Sequence, residues 1–186
     1  EDNPGLINPE SGFIATANYA PIYEGSHPMP GYYQASERYE RIVELLTKKD
    51  DWSLSSMRTM QNDQFVQTAS WMIPILLKNL KGSTPLEKDA LSQLKNWKGK
   101  SGKDDIGSAL YHLLSVSTLK NIVFDELGKE RYKSFSRTAD IWHFYKSILK
   151  KNDSSWWDDV KTTEKETASS IIQKSFEDSV KILGSK

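Results

Sequence analysis

Phe65-Val66-Gln67-Thr68-Ala69-Ser70-Trp71-Met72-Ile73-Pro74-Ile75-Leu76-Leu77-Lys78-Asn79-Leu80 carries its large apolar side chains at a helical repeat. Phe65, Ala69, Met72, Ile73, Leu76, Leu77 and Leu80 recur every three or four residues, which lines them along one face of a helix. A strand would alternate its faces residue by residue. Pro74 sits inside the stripe. It has no amide hydrogen to donate, so a kink is expected there.

The same repeat appears on both sides. Upstream, Tyr39, Ile42, Val43 and Leu46 form a stripe. Ser53 reads as a helix N-cap, with Trp52 and Met57 spaced as a hydrophobic staple. Downstream, Thr84-Pro85-Leu86-Glu87 is a helix start: Thr84 caps, Pro85 suits the first turn and Glu87 completes a capping box. Leu86, Ala90, Leu91 and Leu94 follow in register. Further helices are expected from about Asp104 to Leu127, where Gly128 breaks the run, and around Phe135 to Leu149. A last one is expected to open at Thr163, with Glu166 closing a second capping box, and to run through Ile171, Ile172, Phe176 and Leu183. The reading is a mainly α, multi-helix domain of about six to eight helices over residues 31–186.

Residues 1–30 read differently. Pro4, Pro9, Pro21, Pro28 and Pro30 are interleaved with Gly5, Gly12 and Gly25, which argues against helix. Gly12 to Ala17 reads as a short extended segment with Asn18 at its end. An extended end opening into a loop is a common place to present a functional side chain.

Composition removes several classes of function. Lys+Arg and Asp+Glu both number 25, giving no basic surplus to attract nucleic acid. No apolar run approaches the ~18–20 residues needed to cross a bilayer. The chain has no Cys, which removes disulfides, thiolate catalysis and zinc–cysteine sites. No secretory leader is legible at Glu1, so any such segment would lie upstream.

Few residue groupings suggest chemistry directly. His27, His112 and His143 lack the two-His helical spacing of a zinc hydrolase. His112 and His143 read as packed helical residues, and His27 as a loop residue with a local hydrogen bond. Asp50-Asp51 and Asp158-Asp159 flank helix starts, where the helix dipole favours negative charge. Gly99-Lys100-Ser101-Gly102-Lys103 lacks the leading glycine and the preceding strand of a phosphate loop. The adjacent Trp156 and Trp157 cannot both face one core from one helix. One of them could dock on a neighbouring surface, and core packing is favoured over a sugar or ligand platform.

A family resemblance extends this reading. Asn8-Pro9-Glu10-Ser11-Gly12-Phe13-Ile14-Ala15-Thr16-Ala17-Asn18 is similar to the penicillin acylase pattern Asn-Pro-x-x-Gly-x-Ile-x-x-x-Asn. Arg38-Tyr39-Glu40-Arg41-Ile42 with Leu45-Leu46 resembles that family's Arg-x-x-x-Ile-x-x-Leu-Leu helix. Met60-Gln61-Asn62-Asp63 resembles its Gln-x-Asp entry, and Pro74 is similarly placed. Looser matches follow at Leu94-Lys95-Asn96-Trp97 and from Thr163 to Leu183. Tyr19 stands where some members have a second Asn.

The resemblance implies an N-terminal-nucleophile hydrolase that cleaves the amide bond of penicillins, cephalosporins or N-acyl homoserine lactones. In that family a Ser exposed at the start of the large subunit attacks the carbonyl, with its own α-amino group as base. Carried over by position, Asn18 matches the Asn of the oxyanion hole, and Arg38 matches an Arg that orients the catalytic groups. Gln61 and Asp63 fall at scaffold positions. Glu1 is no nucleophile, so the resemblance implies an internal piece of the large subunit, inactive alone. Its partners would be the rest of the parent acylase, including the small subunit and the nucleophile-bearing part, and a small acyl-amide substrate. It also implies a periplasmic or extracellular parent. Calcium is possible in that parent, with no ligand placed in this chain and no cofactor of its own.

Two rival readings stand beside it. One is a stand-alone helical interaction module using Trp156-Trp157 and the Tyr-rich start. The other is a helical muramidase-like enzyme, which requires a cleft Glu set apart from caps and helix surfaces.

Overall fold

The structure is a computed structural model that describes residues 5–21 and 29–184. His27 therefore lies outside the described residues. Two compact units divide the chain, Glu1–Asp63 and Gln64–Lys186. The described residues form helices and loops. Their one β-type pairing is an isolated antiparallel bridge between Phe65 and Lys100.

In the first unit, Gly12 takes φ 72° and its amide donates to Pro9 O at 2.9 Å. This closes a tight turn that an L side chain would strain. Phe13 to Thr16 then run without helical or strand pairing. Helix α1 (Glu37–Leu46) and helix α2 (Leu54–Gln61) complete the unit. The α1 stripe of Tyr39, Ile42, Val43 and Leu46 is half-buried. Ser53 caps α2 through a reciprocal box with Ser56, each side-chain oxygen accepting the other residue's amide.

The second unit holds α3 (Ala69–Asn79), α4 (Pro85–Asn96), α5 (Ile106–Phe135), α6 (Asp140–Leu149) and α7 (Ala168–Gly184), with a 3-10 turn at Ser155–Trp157. Helix α5 is the central element, packed against α4 and α7. Gly128 interrupts it with φ 65° and ψ 178°, as its place in the sequence suggests. The core joins Met72 and Leu76 of α3, Leu94 of α4, and Leu110, Leu114, Ile122 and Val123 of α5. It is completed by Ile141 and Tyr145 of α6 and by Ile171, Ile172 and Phe176 of α7. Each such large side chain, taken out of water, contributes about 1.5–3 kcal/mol. The α4–α5 crossing depends on Gly107, where a Cβ would fall 2.7 Å from Trp97 Cβ and 2.9 Å from Gln93 O.

The Thr84 cap forms as its sequence suggests. Thr84 Oγ1 accepts the Glu87 amide at 3.2 Å, while Glu87 Oε2 accepts the amides of Ser83 and Thr84 at 2.8 and 3.2 Å. The backbone amides of Ser83 and Thr84 hold the Glu87 carboxyl below its ordinary range. The last helix is a correction. It begins at Ala168, and its capping box is Thr167 with Ser170, not Thr163 with Glu166. Both pairs place oxygens three residues apart, so local spacing does not separate them. Glu166 turns back instead: Oε2 accepts the Asp159 amide at 3.1 Å, and the Glu166 amide donates to Asp158 Oδ1 at 2.9 Å. The Asp158-Asp159 pair thus ties down the loop ahead of α7.

Both tryptophans pack in or against the core. Trp157 is fully buried, with its indole N–H on Lys151 O at 2.7 Å. Trp156 is half-buried and sits edge-on to Phe144, the ring centres 5.0 Å apart. One feature of α5 has no sequence signature. Asp125 and Glu126 lie within hydrogen-bonding reach, and Asp125 Oδ1 and Glu126 Oε2 are both buried without a donor. Burial, helped by Asp125, pushes the Glu126 carboxyl up to about 7. A proton shared between the two acids would satisfy both oxygens.

Candidate functional site

Among the described residues, Asn18 is one of two that take up the left-handed region without being glycine, at φ 60°; Asn8 is the other, at φ 46°. Asn tolerates that conformation better than most residues because its short amide bonds locally. Ala17 beneath it is buried and seats the turn. The Asn18 backbone carbonyl accepts the Gln34 amide at 2.7 Å. Its side chain is exposed, and Oδ1 accepts a hydrogen bond from Arg38 Nη2 at 2.5 Å.

This contact sets the chemistry of the amide. A guanidinium on Oδ1 fixes which end of the side chain is oxygen. It also draws electron density toward Oδ1, making the Nδ2 hydrogens stronger donors. Nδ2 has no partner among the described residues. The arrangement is thus a neutral, oriented N–H donor presented to solvent, the kind of group that stabilises oxygen as it becomes negative.

The next residue along each segment makes a second contact. Tyr19 and Tyr39 stack with ring centres 3.9 Å apart and planes 20° from parallel. Burial, with Tyr39 alongside, pushes the Tyr19 phenol up to about 12, so Tyr19 stays neutral at physiological pH. One turn further along α1, Arg41 grips Asp63 with two hydrogen bonds, Nε to Oδ2 at 2.7 Å and Nη2 to Oδ1 at 2.9 Å. Arg41 Nη1 also reaches Glu44 Oε2 at 2.8 Å. Asp63 is therefore a scaffold residue that ties α1 to the end of α2.

The structure brings Asn18 and Arg38 together, and the sequence reading did not join them. It also missed the tyrosine stack. The signal available was that Tyr19 and Tyr39 directly follow Asn18 and Arg38, at the same separation of twenty residues.

The other candidates form no comparable site. His112 Nε2 lies 3.2 Å from Ser101 Oγ, and burial lowers its pKa. That serine is also bonded by the Ser108 hydroxyl at 2.9 Å, and the cluster pins the loop to α5. The Gly99 loop is stitched to the segment before α3, with the Val66 amide on Gly99 O at 2.7 Å and the Ser101 amide on Gln64 O at 2.9 Å. Among the described residues, no group of three or more His, Asp or Glu is placed to hold a metal ion, and no helix is long and apolar enough to cross a membrane.

Comparison with known proteins places the whole chain within one family. The family model for penicillin amidase matches residues 1–186. Among curated proteins, the chain is similar to acyl-homoserine lactone acylase QuiP of Pseudomonas syringae pv. tomato, 30% identical over 91% of this chain. It is 27% identical to the QuiP of Pseudomonas aeruginosa over 94% of this chain, and 27% identical to that of Pseudomonas fluorescens Pf0-1 over 91%. In each case the match covers 23% of the relative, so the chain spans about a quarter of the proteins it resembles.

Proposed function

Because the chain belongs to the penicillin amidase family, we propose that it supplies the oxyanion-stabilising amide of a larger acylase acting on N-acyl homoserine lactones. The observation that carries this reading is the Arg38 hydrogen bond to Asn18 Oδ1, which leaves Nδ2 as the free, oriented donor. The relatives' names favour a lactone-bearing amide over a β-lactam substrate.

In the proposed reaction, a Ser outside residues 1–186 attacks the amide carbonyl and passes its proton to the adjacent amine. The carbonyl oxygen becomes negative, and Asn18 Nδ2 donates to it. Collapse expels the protonated amine, homoserine lactone, and water then releases the fatty acid from the Ser ester. Binding to the oxygen only as charge develops lowers the barrier without tightening substrate binding. Arg38 acts through Asn18 by holding the amide in its productive orientation. In this reading the chain supplies the stabilising group, the nucleophile belongs to another part of the parent, and the isolated chain hydrolyses nothing.

The test is to incubate the full-length parent and the isolated chain separately with an N-acyl homoserine lactone and to assay free homoserine lactone. Release by the parent alone is expected. No release by the parent, or turnover by the isolated chain, would overturn the reading.

A further inference from the structure

Asn18 has a positional problem that its hydrogen bonds do not solve by themselves. It is exposed, it lies on a loop, and water competes for every polar contact it makes. A catalytic donor must nevertheless be held to a fraction of an ångström, since a 1 Å misplacement typically costs about a hundredfold in rate. Something less easily displaced by water has to hold the turn.

The tyrosine stack has the required properties. Tyr19 is covalently next to Asn18, and Tyr39 is next to Arg38. Their rings lie 3.9 Å apart and nearly parallel. Both are half-buried; the phenols are hydrogen-bonded to each other, and the rings also meet over their apolar faces, which water does not replace. The two segments thus meet as a double zipper, Asn18 on Arg38 and Tyr19 on Tyr39. The Arg41–Asp63 clamp one turn further along fixes the helix that carries one half of it. Without the stack, the turn at Asn18 would rest on the small buried Ala17, one backbone bond from Gln34 and one exposed side-chain bond from Arg38.

We infer that Tyr39 is a positioning residue: by stacking on Tyr19 it locks the left-handed turn that aims the Asn18 amide. The inference rests on the oxyanion reading of Asn18. It adds a residue that touches neither substrate nor the reacting atoms and acts through its neighbour's neighbour.

The experiment uses the full-length parent acylase, steady-state hydrolysis of an N-acyl homoserine lactone, and four variants. Tyr39→Ala is expected to lower kcat about tenfold with KM little changed, the signature of lost transition-state stabilisation. Tyr39→Phe keeps the ring face and is expected to recover the rate. Asn18→Ala removes the donor. In the double variant Tyr39→Ala/Asn18→Ala, kcat is expected to match Asn18→Ala alone, because a residue acting only through Asn18 has nothing left to position. A general folding defect would instead lower the double variant further, and this outcome overturns the inference. Tyr39→Ala at wild-type kcat overturns it too. Full activity of Asn18→Ala is a separate result and would sink the oxyanion reading itself.

Discussion

Arg38 Nη2 and Asn18 Oδ1, twenty residues apart in the chain, are joined by a hydrogen bond of 2.5 Å. The bond uses the acceptor end of the amide and leaves the donor end open. Removing it frees the side chain to rotate and to present either end to the substrate. Arg38→Ala in the parent acylase is therefore expected to reduce kcat by about ten- to a hundredfold, with a much smaller change in KM. Steady-state kinetics with an N-acyl homoserine lactone checks this, and an effect confined to KM would place Arg38 on the substrate instead.

The start of α7 makes a sharp comparison between two threonines. Thr167 Oγ1 accepts the Ser170 amide at 3.2 Å, and the Thr167 amide donates to Ser170 Oγ at 2.8 Å. Thr167→Ala is expected to destabilise the fold by about 1 kcal/mol, the usual worth of an N-cap. Thr163→Ala, outside the helix, is expected to stay within about 0.5 kcal/mol of wild type. Urea unfolding of both variants measures the difference, and equal losses would contradict the observed cap.

Gly107 permits the close crossing of α4 and α5. A methyl group there meets Trp97 Cβ at 2.7 Å and Gln93 O at 2.9 Å, and neither is the far end of a flexible side chain. Gly107→Ala is expected to lower stability by about 1–3 kcal/mol despite its better helix propensity. A rise in the thermal midpoint would show that the two helices sit further apart.

Glu126 gives the fold a pH dependence. Its carboxyl is pushed up to about 7 by burial and by Asp125, against an ordinary value of 4.5. The folded state then holds a proton that the unfolded chain releases, so stability falls as pH rises from roughly 4.5 to 7. Glu126→Gln removes the titrating group and is expected to flatten the thermal midpoint over that window and raise it at pH 8. An unchanged pH profile would mean that the two acids do not share a proton.

The periodic helices were readable because their signal is local. Ala69 to Leu77 carries its stripe within three turns, although Phe65, the stripe's first member, lies ahead of α3 in the bridge to Lys100, and Thr84 to Glu87 carries a complete cap in four residues. The start of α7 was misread because Thr163 and Thr167 offer the same spacing, and the choice between them depends on where Asp158 and Asp159 draw Glu166. Asn18 and Arg38 were each singled out by the motif around them, yet the bond between them requires the chain to close a loop of twenty residues, which no local pattern encodes. The same holds for Tyr19 on Tyr39, and for Asp125 beside Glu126, where adjacency in sequence does not reveal burial.

The central claim is that the Asn18 amide donates to a carbonyl oxygen only as that oxygen becomes negative. Comparing Asn18→Ala with wild type in the full-length acylase, under pre-steady-state acylation, tests it most directly. An acylation rate lower by about a hundred- to a thousandfold is expected, with substrate affinity preserved. Acylation at the wild-type rate, or a loss appearing only as weaker substrate binding, would contradict it.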